Sequence, residues 1–250
     1  MRTDHRFSTS AHLALPLSAA LLSILLGGCG EKVGDVAEPV PVGGPALVRR
    51  LTESQYRATV ADIFGPDIPI AARFEKGVRA DGLLSIGTSQ SGMSPFSIEQ
   101  YDAAARTVAQ AVVSPELRGQ FIACVPAAET AFDQDCATAF VERYGLRLLR
   151  RPLHPEEIER YVTAARNGHA RLGNFYEGLK YALAGMMVAP EFLLRVERTE
   201  PNPESLDVAQ LDDYSRAARL SFFLTNSAPD EELLRAAGAG ELDDREGLAA

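Results

Sequence analysis

Apolar residues recur at helical spacing along most of the chain, and this pattern predicts a helical protein. In the first such stretch, Tyr56, Val60 and Phe64 would share one helix face. No stretch shows the convincing apolar–polar alternation of a half-buried strand. We therefore expect an all-α fold, an irregular bundle of about seven to eight helices. The predicted helices span residues 52–64, 97–113, 134–149, 155–167, 174–187, 209–224 and 228–238.

Capping and turn-forming residues indicate where these helices begin and end. Capping-box spacing at Thr52–Gln55 and Ser97–Gln100 predicts the starts of the first two helices. The pair Asn167-Gly168 would end a later one. Between the first two helices, residues 66–96 contain four glycines and three prolines, which predicts one long glycine-rich loop.

The N-terminus carries a basic start, an apolar run from Leu13 to Leu26, and then Gly27-Gly28-Cys29. The run of about 14 residues is shorter than the roughly 20 that a transmembrane helix requires. The segment is similar to a bacterial lipoprotein signal peptide, residues 1–28, with lipid carried on Cys29. An ordinary secretory signal and an uncleaved anchor helix are the alternatives.

Residues 29–47 mix glycine, proline and charged residues without periodicity, so we expect a disordered tether. The lipid on Cys29 would make the membrane a partner and place the protein in the cell envelope of a Gram-negative bacterium. Gly30 at the next position resembles the sorting preference of outer-membrane lipoproteins. We expect the folded part on the periplasmic or surface face of that membrane.

Cys124 and Cys136 form an even pair once Cys29 is assigned to the signal. In an oxidising compartment we predict a disulfide between them, closing a loop of about 13 residues and contributing about 3 kcal/mol. Metal ligation is the alternative, but two cysteines without a nearby histidine make a poor zinc site. We expect no metal and no cofactor in this chain.

The net charge of −9 argues against nucleic acid as a partner. An acidic chain would also be repelled by anionic lipid. The lipid on Cys29, and not a basic patch, is therefore expected to hold the protein at a membrane.

Candidate catalytic residues are few and isolated. Residues 87–91 approach the nucleophile-elbow pattern but end in serine instead of glycine. We expect His154 to cap a helix and His169 to lie in solvent. Three acidic pairs begin predicted helices, where carboxylates complement the helix dipole, at 156–157, 212–213 and 231–232. We predict no catalytic residues, and this favours a protein that is not an enzyme.

Arg150 and Arg151 are the most suggestive charges, because arginines beside a proline corner can bind a carboxylate or phosphate. The alternative is a structural role at a helix C-terminus, with ion pairs to Glu156 or Glu157. The apolar pair Phe222-Phe223 is predicted to lie in the core.

Four stretches together resemble one family, the secreted multidomain proteins of planctomycetes and myxobacteria built from PSD domains of unknown function. They are residues 49–65, 82–105, the cysteine pair followed by LRLLRRPLHPEEIERY at 146–161, and 211–242. Their order matches the third, fifth and fourth PSD domains. The resemblance implies helical domains at 48–114, 115–200 and 205–250, the last one truncated.

The family has no established activity to carry over. We expect a lipid-anchored envelope protein that serves as a non-catalytic interaction or assembly module, with a c-type cytochrome or another envelope protein as partner. One alternative is a fragment of an extracytoplasmic enzyme or redox protein, its active site or haem domain lying beyond residue 250. A carbohydrate-binding surface protein is a weaker alternative.

Overall fold

The computed structural model describes residues 48–77, 79, 82, 92–202 and 205–242. The predicted signal peptide, the tether with Cys29, and the serine-containing stretch at 87–91 lie outside these residues.

Nine helices occur in the described part of the chain, and they confirm the all-α prediction. They are α1 Glu53–Phe64, α2 Pro95–Val112, α3 Arg118–Phe121, α4 Gln134–Leu149, α5 Pro155–Leu172, α6 Phe175–Met187, α7 Pro190–Leu193, α8 Asp213–Leu224 and α9 Glu231–Gly238. None of them combines the length and apolar content needed to cross a membrane.

Two short antiparallel strand pairs accompany the helices. Their strands are β1 Val48–Arg50, β2 Leu194–Val196, β3 Thr199–Asn202 and β4 Ser205–Leu211. β1 pairs with β2, and β3 pairs with β4. β4 occupies residues that the sequence pattern assigned partly to a helix from residue 209. That helix, α8, begins only at Asp213, because the Asp212 side chain accepts from the Ser215 N–H and caps it.

One hydrophobic core runs through α1, α2 and α4–α7, with α6 packed against α2, α4 and α5. The core therefore crosses the predicted domain boundary between residues 114 and 115. Its largest fully buried side chains include Tyr56, Tyr144, Phe175, Phe192, Leu148, Leu179, Leu183, Met186 and Met187. A separate small cluster joins α8 to α9 through Ala217, Ala237 and Leu242.

Two predicted helix ends differ from the structure. α2 begins at Pro95, two residues before the predicted start, because Ser94 and not Ser97 is the N-cap: its hydroxyl accepts from the Ser97 N–H. α5 continues through Gly168 to Leu172 and ends at Gly173, whose φ of 68° is the left-handed conformation that glycine adopts readily. Gly168 instead faces α6, where an added Cβ would lie 3.2 Å from the Cα of Gly178.

Candidate functional site

The predicted disulfide is present, and it joins the segment after α3 to the first turn of α4. The Cα atoms of Cys124 and Cys136 lie 5.7 Å apart. The Cys136 N–H donates to the N-cap residue Asp133. The bridge therefore ties the connection between α3 and α4 to a capped helix end.

Arg150 ends α4 in the left-handed conformation, with φ of 59°. Its buried guanidinium donates to backbone carbonyls of Leu148, Phe192 and Leu194, at 3.0–3.2 Å, and also to that of Glu191. Burial lowers the pKa of Arg150, and the neighbouring Arg195 and Arg151 lower it further. The side chain thus joins the end of α4 to α7 and β2.

Arg151 forms a buried two-pronged ion pair with Glu157, with both N–O distances at 2.8 Å. Glu157 also accepts from the backbone N–H of His154, the N-cap residue of α5. The hydrogen bonds from Arg151 lower the pKa of Glu157 to about 2, although burial opposes them. Both arginines are engaged within the fold, and ligand recognition by them stays a prediction.

The acidic pairs and histidines occupy helix starts and helix faces. Glu231 and Glu232 lie in the first turn of α9, which Asp230 caps. His169 lies on α5 and not in a solvated loop; it is half-buried, with its ring centroid 5.7 Å from that of Phe132. Within the described residues, no group of three or more histidine, cysteine or acidic side chains could hold a metal ion.

A cleft of about 260 Å³ opens where β1 and the connection after α1 meet the start of α2. Arg50 and Glu75 line its polar side, and Phe74 and Tyr101 line its aromatic side. The two aromatic rings contact each other at a centroid distance of 5.3 Å. A guanidinium beside aromatic rings is a combination that suits small polar ligands.

Glu75 contacts other polar side chains of this cleft. It accepts hydrogen bonds of 2.5 Å from the hydroxyls of Ser94 and Ser97, and its Oε2 lies 3.9 Å from Nη1 of Arg50. These hydroxyl bonds, and to a lesser extent Arg50, lower the pKa of the carboxyl. The two hydroxyls and the Arg50 guanidinium thus hold the Glu75 carboxylate at the start of α2.

A second feature is an exposed apolar pair at the end of α8. Phe223 is 83% exposed and Leu224 73% exposed, whereas Phe222 is buried. The prediction that Phe222-Phe223 lies in the core is therefore wrong for Phe223. Consecutive residues of a helix point about 100° apart, so only one of the two rings reaches the core.

Comparison with protein families places three segments of the chain. Residues 49–114 match PSD3, a protein of unknown function (DUF1587), residues 136–197 match PSD5 (DUF1595), and residues 211–250 match PSD4 (DUF1592). The chain therefore carries three segments that match PSD families, in the order PSD3, PSD5 and PSD4. In it, the cleft belongs to the PSD3 segment, while Phe223 and Leu224 belong to the PSD4 segment. No curated protein and no solved structure matches the chain.

No sequence pattern predicts the residues of the cleft. Arg50 lies within the stretch 49–65 that resembles the family, and Glu75 lies in the long loop predicted at 66–96. Ser94, three residues before Ser97 and followed by Pro95, carries a helix-start signal that could have directed attention to this position. Nothing in the local pattern indicates that Glu75 would reach both serines.

Proposed function

We propose that this protein is a lipid-anchored cell-envelope protein whose folded part is a non-catalytic module that binds another envelope protein. The exposed pair Phe223 and Leu224 carries the proposal. Two adjacent large apolar side chains in contact with water are unfavourable in an isolated protein, and aromatic residues are enriched in protein interfaces.

Two further observations support this function. The cleft presents Glu75 and the Arg50 guanidinium beside the rings of Phe74 and Tyr101, a lining that suits a binding contact. The disulfide between Cys124 and Cys136 fits an oxidising compartment, as an exported protein requires.

The charge of the chain suggests the kind of partner. A net charge of −9 favours association with a protein of opposite charge through electrostatic steering. The family resemblance makes a c-type cytochrome the partner to test first.

The test is chemical cross-linking of the tagged protein in envelope extracts, followed by haem staining of the captured species. We expect the native protein to capture a haem-bearing partner, and Phe223→Glu to reduce the captured haem by tenfold or more. The carboxylate would have to be desolvated in the interface, which is costly.

Val125→Glu provides a matched control, because Val125 is 84% exposed on a different segment. This variant should capture as much haem protein as the native chain. Equal losses in the two variants would show that added negative charge, and not the α8 surface, is responsible. Absence of any haem-bearing species from the native capture would contradict the proposed partner.

A further inference from the structure

The pairing of β1 with β2 brings two arginines together on one face. Arg49 lies directly opposite Arg195 in the antiparallel register. Directly opposite residues project from the same side of a strand pair, so the side chains of Arg49 and Arg195 lie on one face. Val48 and Arg50 project from the other face. The Arg195 guanidinium lies 5.0 Å from the ring centroid of Phe222 on α8.

Arg219 adds a third positive charge from α8. It lies three residues before Phe222 and therefore on a neighbouring part of the same helix surface. We call Arg49, Arg195 and Arg219 the arginine cluster. Burial lowers the pKa of Arg195, and the charges of Arg49 and Arg219 lower it further against the opposing effect of Glu197.

Among the described residues, the arginine cluster carries more positive charge than the acidic side chains in contact with it. Glu197 binds Arg219 through both carboxylate oxygens, at 3.0 and 2.6 Å. In the described part of the chain, Arg49 and Arg195 form no ion pair and no side-chain hydrogen bond. The Nε of Arg49 is buried and finds no acceptor among these residues. Within the described residues, the arginine cluster therefore holds three guanidinium groups and the single paired carboxylate of Glu197, in a chain with a net charge of −9.

Such an arrangement destabilises the protein when no anion is bound. Like charges directly opposite across a strand pair repel each other, and a buried N–H without an acceptor carries a desolvation cost. A bound anion removes both effects at once, because its oxygens accept from the guanidinium N–H groups and its charge offsets the surplus.

We propose that the arginine cluster binds a phosphate group through Arg49 and Arg195, with the Arg219–Glu197 pair forming one side of the site. Guanidinium groups match the oxygens of phosphate in pairs of hydrogen bonds. The group could belong to free inorganic phosphate or to a lipid headgroup.

The second source rests on the proposed lipid anchoring. Arg49 lies two residues beyond the tether expected at 29–47, whose 19 residues would span roughly 25 Å as a flexible chain. That length keeps the arginine cluster within reach of the headgroups of the membrane.

The test is isothermal titration of the purified full-length protein, in neutral detergent and at constant ionic strength. One series uses inorganic phosphate, and the other uses glycerophosphoglycerol, the soluble headgroup of an anionic lipid. We expect saturable binding at one site. Arg49→Gln and Arg195→Gln should each weaken it at least tenfold, because each removes one of the two anchoring guanidinium groups.

Arg106→Gln is the matched control, since Arg106 is an exposed arginine of α2 that pairs with Asp102. It should leave the affinity unchanged. Tighter binding of inorganic phosphate would identify the free ion as the ligand. Tighter binding of glycerophosphoglycerol would identify the lipid headgroup as the ligand. Saturable binding of neither compound, or equal losses in the control, would overturn the proposal.

Thermal unfolding separates this site from a merely structural role. In phosphate-free buffer, Arg49→Gln and Arg195→Gln should unfold at the same temperature as the native protein or higher, because the repulsion is relieved. Added phosphate should raise the unfolding temperature of the native protein more than sodium chloride of equal ionic strength. A native protein that responds equally to both salts would refute the site even if the variants fail to fold. If the protein proves not to be lipid-anchored, the titration with inorganic phosphate still tests the site, because that titration does not depend on a membrane.

Discussion

Arg150 and Arg151 are neighbours in sequence, yet their side chains stabilise different parts of the fold. Arg150 donates to carbonyls at the end of α4 and in the α7–β2 segment. Arg151 instead holds the start of α5 through Glu157. The two neighbouring arginines therefore fix the end of α4 and the start of α5 separately.

The ion pair of Glu157 gives the protein a defined response to acid. Its pKa is about 2 in the folded state, against an ordinary value of 4.5. The stabilisation from a depressed carboxyl pKa is present above the unfolded-state value and is lost as the pH falls toward the folded-state value. We expect the native protein to lose about 3 kcal/mol of unfolding free energy between pH 4.5 and 2 from this group.

Denaturant unfolding of Glu157→Gln tests this expectation. At pH 7 the variant should be less stable by about 3 kcal/mol, because Arg151 would remain buried without its carboxylate. Its stability should also change less than that of the native protein between pH 4.5 and 2. Parallel pH profiles for the two proteins would contradict this role of Glu157.

At the scale of elements, α5 and α6 share the most extensive helix–helix contact of the described part of the chain. Gly168 and Gly178 lie in this contact, and both are placed in helix interiors, where glycine is unfavourable. Ala165 of α5 packs its carbonyl oxygen against the position of Gly178. The glycines allow the two backbones to approach more closely than any side chain would permit.

Gly178→Ala should therefore destabilise the protein by about 2–3 kcal/mol, the usual cost of overpacking. An added Cβ at this position would lie 2.5 Å from the Ala165 carbonyl oxygen, a backbone atom that cannot rotate away. Gly185→Ala in the same helix is the control, because its Cβ would lie 3.7 Å from the Tyr161 ring. That change should leave stability equal or raise it by up to about 1 kcal/mol. If Gly178→Ala unfolds at a higher temperature than Gly185→Ala, the contact between α5 and α6 at Gly178 has room for a side chain, and the prediction is wrong.

At the scale of the whole molecule, the core unites the PSD3 and PSD5 segments, while α8 and α9 add a smaller cluster. The lipid anchor would hold this assembly through the predicted tether at 29–47. Contact with a membrane partner would then depend on one cysteine outside the described residues.

Cys29→Ala tests this anchoring. After metabolic labelling with a radioactive fatty acid, we expect the native protein to be labelled and to lie in the membrane fraction. The Cys29→Ala variant should carry no label, because the thiol that bears the lipid is gone. Cys124→Ala removes a different thiol and should remain labelled. An unlabelled native protein, or a labelled Cys29→Ala variant, would overturn the lipoprotein prediction.

Local signals predicted much of the helical framework. α4 spans the residues expected from its apolar periodicity, and Thr52 caps α1 with Gln55 as the spacing indicated. These features depend on residues three or four positions apart, so they can be predicted from the sequence. β1 and β2 were missed because strands of three residues carry too little alternation and pair across about 145 intervening positions.

The sequence by itself determined the helical class, the family and the pairing of Cys124 with Cys136. Each follows from local periodicity, from ordered motifs or from the count of cysteines. Only the tertiary structure decided that Glu75 reaches Ser94 and Ser97, that Phe223 faces water, and that Arg49 meets Arg195. These outcomes depend on which distant elements pack together, because burial and charge proximity are properties of the assembled core and not of neighbouring residues.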